Sequence, residues 1–325
     1  MIVHDGRSSL AVGVDVGGTK ILAGLISEAG EVLRRMELPT RAGEADPCAR
    51  IVEAIESLGA EGALPPVRGI GVGTAGQVEW RSGSIRHSSA LLPGYTGTPL
   101  RQLLEDRFGL PALVDNDVNA LAVAELRLGA GRGCRDFICV ALGTGVGGAV
   151  VSGGRLMRGA WGGAGELGHL SVDRHGPRCI CGSRGCLELY ASGTGIAAGL
   201  KRRLEAAGLP ADGADARAAV SGWLAGDDVH AASAVEDALD ALGAAAASLA
   251  HALNPQRILI GGGVADAGEP FFAALQARFR EHAMPSLAAG VELLPAVRGR
   301  DSGLIGAALQ LWEDGAIGVG SREFS

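Results

Sequence analysis

Apolar residues fall in short runs that end at glycine or at a polar turn. Residues 10–15 predict a buried strand, and Val16-Gly-Gly-Thr19 a tight turn after it. Residues 21–26 predict a second strand, and 31–38, with alternating polarity, a third. Over 46–58 the apolar spacing changes to threes and fours, which predicts a helix with Asp46 as N-cap and Pro47 at its first position. A strand is expected over 68–72, and Thr98-Pro99 opens a helix that ends at Gly109. Residues 112–114 predict a strand, Asp115-Asn-Asp117 a turn, and 118–128 a helix.

The pattern then begins again. Residues 137–142 predict a strand, 143–148 a glycine turn and 149–152 a strand. This repeat of strand, glycine turn and strand points to a duplication, with two similar lobes and a cleft between them. Residues 159–188 are glycine-rich, and 194–253 read as mainly helical. A strand is expected over 258–260, then Gly261-Gly-Gly263 and a helix from about Pro270. Residues 291–294 predict a strand and 303–312 a last helix. Strands mixed with helices give the α/β class. The expected division is a small lobe of 1–118 plus the C-terminal helical segment 303–325, and a large lobe of 119–302.

Length and composition narrow the classes. The chain has 325 residues, 47% hydrophobic and 20% charged, which fits a globular protein of two lobes. A net charge of −7 disfavours nucleic acid and anionic membranes as partners. It does not exclude ATP, since glycine loops and helix N-termini hold phosphate locally. Residues 1–10 lack the apolar core of a signal peptide, and Ser248 and His251 interrupt the alanine-rich stretch 243–253. A cytoplasmic protein is expected.

Five stretches carry candidate chemistry. In Asp15-Val-Gly-Gly-Thr-Lys20, the glycines leave backbone N–H groups free to face a phosphate. Thr19 adds a hydroxyl, Lys20 a positive charge, and Asp15 a carboxylate suited to magnesium. Leu142-Gly-Thr-Gly-Val-Gly-Gly148 repeats that logic, and the strand-forming residues after it argue against a dinucleotide fold. Plain tight turns are the alternative for both. Leu259-Ile-Gly-Gly-Gly-Val264 suits close approach of an adenosine, or is a simple strand-to-helix turn. Asp117 reads either as a helix cap or as a general base for a hydroxyl, with Asn116 beside it for a sugar. His169, Cys179, Cys181 and Cys186 form a closed set of the structural zinc type, against the alternative of unpaired thiols. Glu166 and Glu188 flank them and are either sugar acceptors or a solvated pair.

These stretches, in this order, resemble the ROK family of sugar kinases and kinase-derived transcriptional repressors, from Val14 to about Ala308. The resemblance implies an actin-like (ribonuclease H-like) α/β ATPase fold with an interlobe cleft. It implies an ATP-dependent kinase acting on a hexose 6-hydroxyl, with Mg2+ and Zn2+. By that similarity Asp117 is the catalytic base, and Asn116, Glu166, His169, Glu188 and Gly76 bind sugar. Asp15, Gly17, Gly18, Thr19, Lys20, Gly143, Thr144, Gly145, Gly147, Gly261, Gly262 and Gly263 serve the nucleotide. His169, Cys179, Cys181 and Cys186 hold zinc. Members commonly form dimers, sometimes tetramers, so a homodimer is expected.

Two departures stand out. Residues 88–95 read Ser-Ser-Ala-Leu-Leu-Pro-Gly-Tyr, without the sugar-contacting Asn common before Pro-Gly. Gly73-Thr-Ala-Gly76 stands where the family usually has Pro-Gly. Glucose is the first expected substrate, with N-acetylglucosamine and N-acetylmannosamine behind it. A sugar-sensing regulator without its DNA-binding domain is the alternative of another class. Nine residues before the first strand are too few for a helix-turn-helix domain.

Overall fold

Val12, Val14 and Val16 lie buried along Leu10–Val16 (β1), and so do Ala11 and Gly13 between them. A strand buried on both faces belongs in the middle of a covered sheet. A computed structural model describes residues 9–40, 43–59, 63–88, 92–297 and 299–313. They fall into two compact units.

The first unit comprises residues 1–132, 156–164 and 300–325. β1 pairs antiparallel with Lys20–Ser27 (β2), which pairs antiparallel with Val32–Pro39 (β3). Pro47–Glu56 (α1) follows, capped by Asp46 as expected. Ile70–Thr74 (β4) runs parallel to β1, and Gln77–Glu79 (β5) with Ser84–His87 (β6) form a small hairpin. Leu100–Phe108 (α2) leads to Ala112–Asn116 (β7), parallel to β4, and then to Asp117–Leu128 (α3). The sheet order is β3-β2-β1-β4-β7. Its parallel register sets Asp15, Gly73 and Asp115 in one row. The C-terminal helix Ser302–Leu309 covers a face of this sheet. Gly13 and Gly71 permit that, because a Cβ on either would strike the helix backbone at Leu304 O or Ala307 O. The part of the expected C-terminal segment beyond Glu313 lies outside the described residues.

The second unit comprises 133–155 and 165–299. Phe137–Leu142 (β8) pairs antiparallel with Val146–Ser152 (β9), and Arg155–Leu156 (β10) continues the edge. Glu188–Ala191 (α4), Gly193–Ala206 (α5), Ala216–Ala225 (α6) and Val229–Leu253 (α7) follow. Arg257–Gly261 (β11) lies parallel to β8, then come Glu269–His282 (α8), Pro285–Gly290 (α9) and Glu292–Pro295 (β12), parallel to β11. The order β10-β9-β8-β11-β12 repeats the first sheet's plan. α7 is the spine of this core, with alanine on most of its buried face. Its acidic residues Glu236, Asp237 and Asp240 stay outside that face. No helix among the described residues is long and apolar enough to cross a membrane.

Two differences from expectation matter. β9 begins at Val146, not Ala149, because Val146, Gly147 and Gly148 complete the ladder with β8. Residues 119–132 and 156–164, expected in the larger lobe, pack with the first unit.

Candidate active site and metal centre

In the first unit, β7 runs directly into α3 with no turn at Asp115-Asn-Asp117. Asn116, not Asp117, caps the helix. It keeps an extended conformation, and its Oδ1 accepts the N–H groups of Val118 and Asn119 at 2.9 and 3.3 Å. Asn and Asp cap almost equally well, so sequence alone does not choose between neighbours. Asp117 is the first helical residue, and its Oδ1 also meets the Val118 N–H at 2.9 Å. Asn116 Nδ2 donates to Gly76 O at 3.2 Å, so two separately predicted residues meet.

Asp115, which no role was predicted for, is the anchor of this corner. Its Oδ1 accepts the Asn116 N–H at 2.8 Å and Asn119 Nδ2 at 2.7 Å, and its Oδ2 accepts Arg158 Nε at 2.7 Å. Asp15 sits in the same register row. Burial first, and then the charge of Asp117, push its carboxyl from 3.8 to about 7, against the pull of Lys20. An acid held near neutral by burial and a second carboxylate is a natural partner for a cation.

The first glycine turn joins β1 and β2. The Gly17 N–H donates to Lys20 O at 3.0 Å. Thr40, fully buried, donates its hydroxyl to Gly17 O at 2.7 Å and its N–H to Thr19 O at 3.0 Å. Arg50 holds the preceding Pro39 carbonyl at 2.9 Å. Thr19 is exposed, and Lys20 lies 3.9 Å from Glu37.

The second unit holds the other two turns. Gly143 and Thr144 are exposed between β8 and β9. Gly193 N–H donates to Gly143 O at 2.8 Å, and Thr194 Oγ1 to Thr144 O at 2.8 Å. Glu188 Oε2 accepts the Val146 N–H at 3.1 Å and lies where a Cβ on Gly145 would sit. Gly262 has φ of +92°, and a Cβ there would strike Leu142 O. The third glycine stretch therefore lies against the strand that leads into the second turn. A 3₁₀ turn, Ala265–Ala267, separates it from α8.

The loop after β10 carries the metal set. Leu167 packs against Gly148 of β9, which fixes the short turn Leu167–His169. Glu166 is exposed just before it. The donor atoms of His169, Cys179, Cys181 and Cys186 lie within 4.8 Å of one another. Cys179 Sγ is 3.6 Å from His169 Nδ1, and Cys181 Sγ is 3.5 Å from Cys186 Sγ. A tetrahedral zinc with Zn–S of about 2.3 Å needs sulfurs about 3.8 Å apart. Burial and the neighbouring thiols push Cys186 up to about 12, while the Ser183 N–H lowers Cys181. Such crowding of thiols is relieved by a cation, and the donor set fits zinc.

Of the predicted residues, the fold thus joins Asn116 to Gly76, the four metal donors to each other, and Glu188 to the second turn. Sequence reasoning missed Asp115, Arg158 and Thr40. Their partners lie far along the chain, and no local spacing marks them. Of the Asn-less stretch 88–95, residues 89–91 lie outside the described residues.

Comparison with known proteins fits this arrangement. A ROK-family sequence profile matches residues 11–314. A glucokinase of Halalkalibacterium halodurans is 39% identical over 307 residues, 91% of this chain and 92% of that protein. An N-acetylmannosamine kinase of Escherichia fergusonii is 36% identical over 91% of this chain and 96% of its own. The crystal structure of a ROK-family glucokinase from Streptomyces griseus, with glucose and AMPPNP, superposes with a TM-score of 0.80 at 34% identity. That match covers 92% of this chain and 98% of the other. The two sheets are those of the actin-like ATPase fold found in sugar kinases. This chain belongs to the ROK family.

Proposed function

We propose that this chain, an ATP-dependent sugar kinase, transfers the γ-phosphoryl group of ATP to the 6-hydroxyl of a hexose, with glucose as first substrate. The observation that carries the reading is the β7–α3 corner. Asn116 does the capping, and Asp117 is an acidic group at the helix start beside Asp15. In this reading Asp117 accepts the proton of the attacking hydroxyl, and no covalent enzyme intermediate forms. Asn116, Gly76, Glu166, His169 and Glu188 are the proposed sugar-binding residues. Gly17, Gly18, Thr19 and Lys20, with Gly143, Thr144, Gly145 and Gly147, hold phosphate oxygens by N–H, hydroxyl and ammonium groups. Gly261, Gly262 and Gly263 take the adenosine. Asp15 would hold a magnesium ion arriving with the nucleotide, which would supply neutralisation of phosphate charge. His169, Cys179, Cys181 and Cys186 would hold a zinc ion, whose role would be structural. In the same reading the protein works in the cytoplasm as a homodimer, which sedimentation checks.

A coupled ADP-release assay over hexoses, hexosamines and N-acetylhexosamines tests this. The highest kcat/KM is expected with glucose, and a higher value with N-acetylmannosamine replaces that assignment. Asp117→Asn is expected to lose about a thousandfold in kcat while still binding sugar. Near-normal turnover in that variant removes the base assignment.

A further inference from the structure

Residues 156–164 belong to the first unit, although the chain on both sides of them belongs to the second. This strap lies along the β5–β6 hairpin. The Trp80 N–H donates to Trp161 O at 3.2 Å, and Arg81 Nη1 to Ala160 O at 2.7 Å. From it Arg158 reaches Asp115, with 19% of the Arg158 side chain and 3% of the Asp115 side chain exposed. The Arg158 guanidinium stands 5.3 Å from the Trp80 ring centroid, and its Nη2 is 3.8 Å from Glu313. The cation is thus steered from several sides onto one carboxylate oxygen.

We infer that Arg158 is a positioning residue for the corner that carries Asn116 and Asp117. This rests on the reading of Asp117 as the base. The Asp115 carboxylate is held in place by three groups, one of them the Arg158 guanidinium. Its Oδ1 holds the Asn116 N–H and the Asn119 side chain, one residue before and two after Asp117. Without the guanidinium, the Asp115 carboxylate loses the bond that fixes its Oδ2 and can rotate, so both Oδ1 bonds weaken. The start of α3 then shifts, and the base moves with it. Displacements well under an ångström at a reacting group lower turnover far more than they lower binding of the other substrate. The first glycine turn is held by separate bonds from Thr40, so nucleotide binding is spared.

Steady-state kinetics on the full chain tests this with Arg158→Met, Arg158→Lys and Asp117→Asn side by side. Arg158→Met is expected to lower kcat about a hundredfold and raise the sugar KM, with the ATP KM unchanged within about twofold. Arg158→Lys, which restores charge but not the Nε–H, is expected to recover part of the loss and supplies the folded comparison if the methionine variant is unstable. Asp115→Asn added to Arg158→Met is expected to cost far less than in the wild type, because the two act as one unit. The inference is overturned if both Arg158 variants keep kcat near wild type while Asp117→Asn is inactive. It is also overturned if sugar and ATP KM rise together with a fallen melting temperature, since that is general loosening. An active Asp117→Asn removes the base reading itself, whatever the Arg158 variants do.

Discussion

The two sheets repeat one plan, and each carries a glycine turn between its central strand and the antiparallel neighbour. What holds the two turns is not repeated. The first is fixed by the neutral hydroxyl and the N–H of Thr40, just past the strand that closes the same sheet. The second is fixed partly by the carboxylate of Glu188, two residues beyond Cys186 of the His/Cys cluster. A duplicated backbone therefore carries unequal supports. The first turn is complete once its own sheet has formed. The second leans on a loop that carries the proposed zinc site.

The largest test of that contrast is loss of the metal. Cys181→Ser, or exhaustive chelation, is expected to destabilise the protein by about 4 kcal/mol or more. Metal analysis with thermal melting checks this, and a stable, active, zinc-free variant ends the structural-metal reading. Glu188→Ala comes next. Loss of a charged hydrogen bond predicts an ATP KM raised about tenfold. Because Glu188 is also proposed to bind sugar, both KM values are measured. A change confined to the sugar KM makes its bond to Val146 incidental.

The next effect concerns pH. A buried acid raised from 3.8 to about 7 binds its proton more tightly folded than unfolded. Asp15 therefore lowers the stability of the ligand-free protein as pH rises through that window, by at most about 1.4 kcal/mol per pH unit. Melting from pH 4 to 8 reads the slope, and Asp15→Asn should flatten it. The smallest effect is at the first turn. Thr40→Val removes one buried hydrogen bond of about 1 kcal/mol, so the ATP KM should rise about fivefold. Thr40→Ser should keep the wild-type value. An equal response of the two turns to zinc removal would erase the distinction.

Much of this was legible residue by residue. Asp46 and Pro47 announced α1, and Gly109 its counterpart at the end of α2, because caps act within one helical turn. The clustering of His169, Cys179, Cys181 and Cys186 was legible because they span 169–186, and a short loop limits how far apart they can move. The repeated strand, turn and strand exposed the repeated sheet plan. Other features escaped. Asn116 and Asp117 compete for one cap, and the backbone conformation decided between them. β9 starts three residues early because β8 offers it a ladder.

The sequence determined what depends on neighbours along the chain: element types, glycine turns, helix starts and the cluster of one histidine and three cysteines. Tertiary structure decided which charges were paired after burial. Arg158 reaches Asp115 across 43 positions, and Thr40 reaches Gly17 across 23. The physical reason is range. Propensity and capping act over a few residues, whereas a buried carboxylate must find its cation wherever the folded chain brings one.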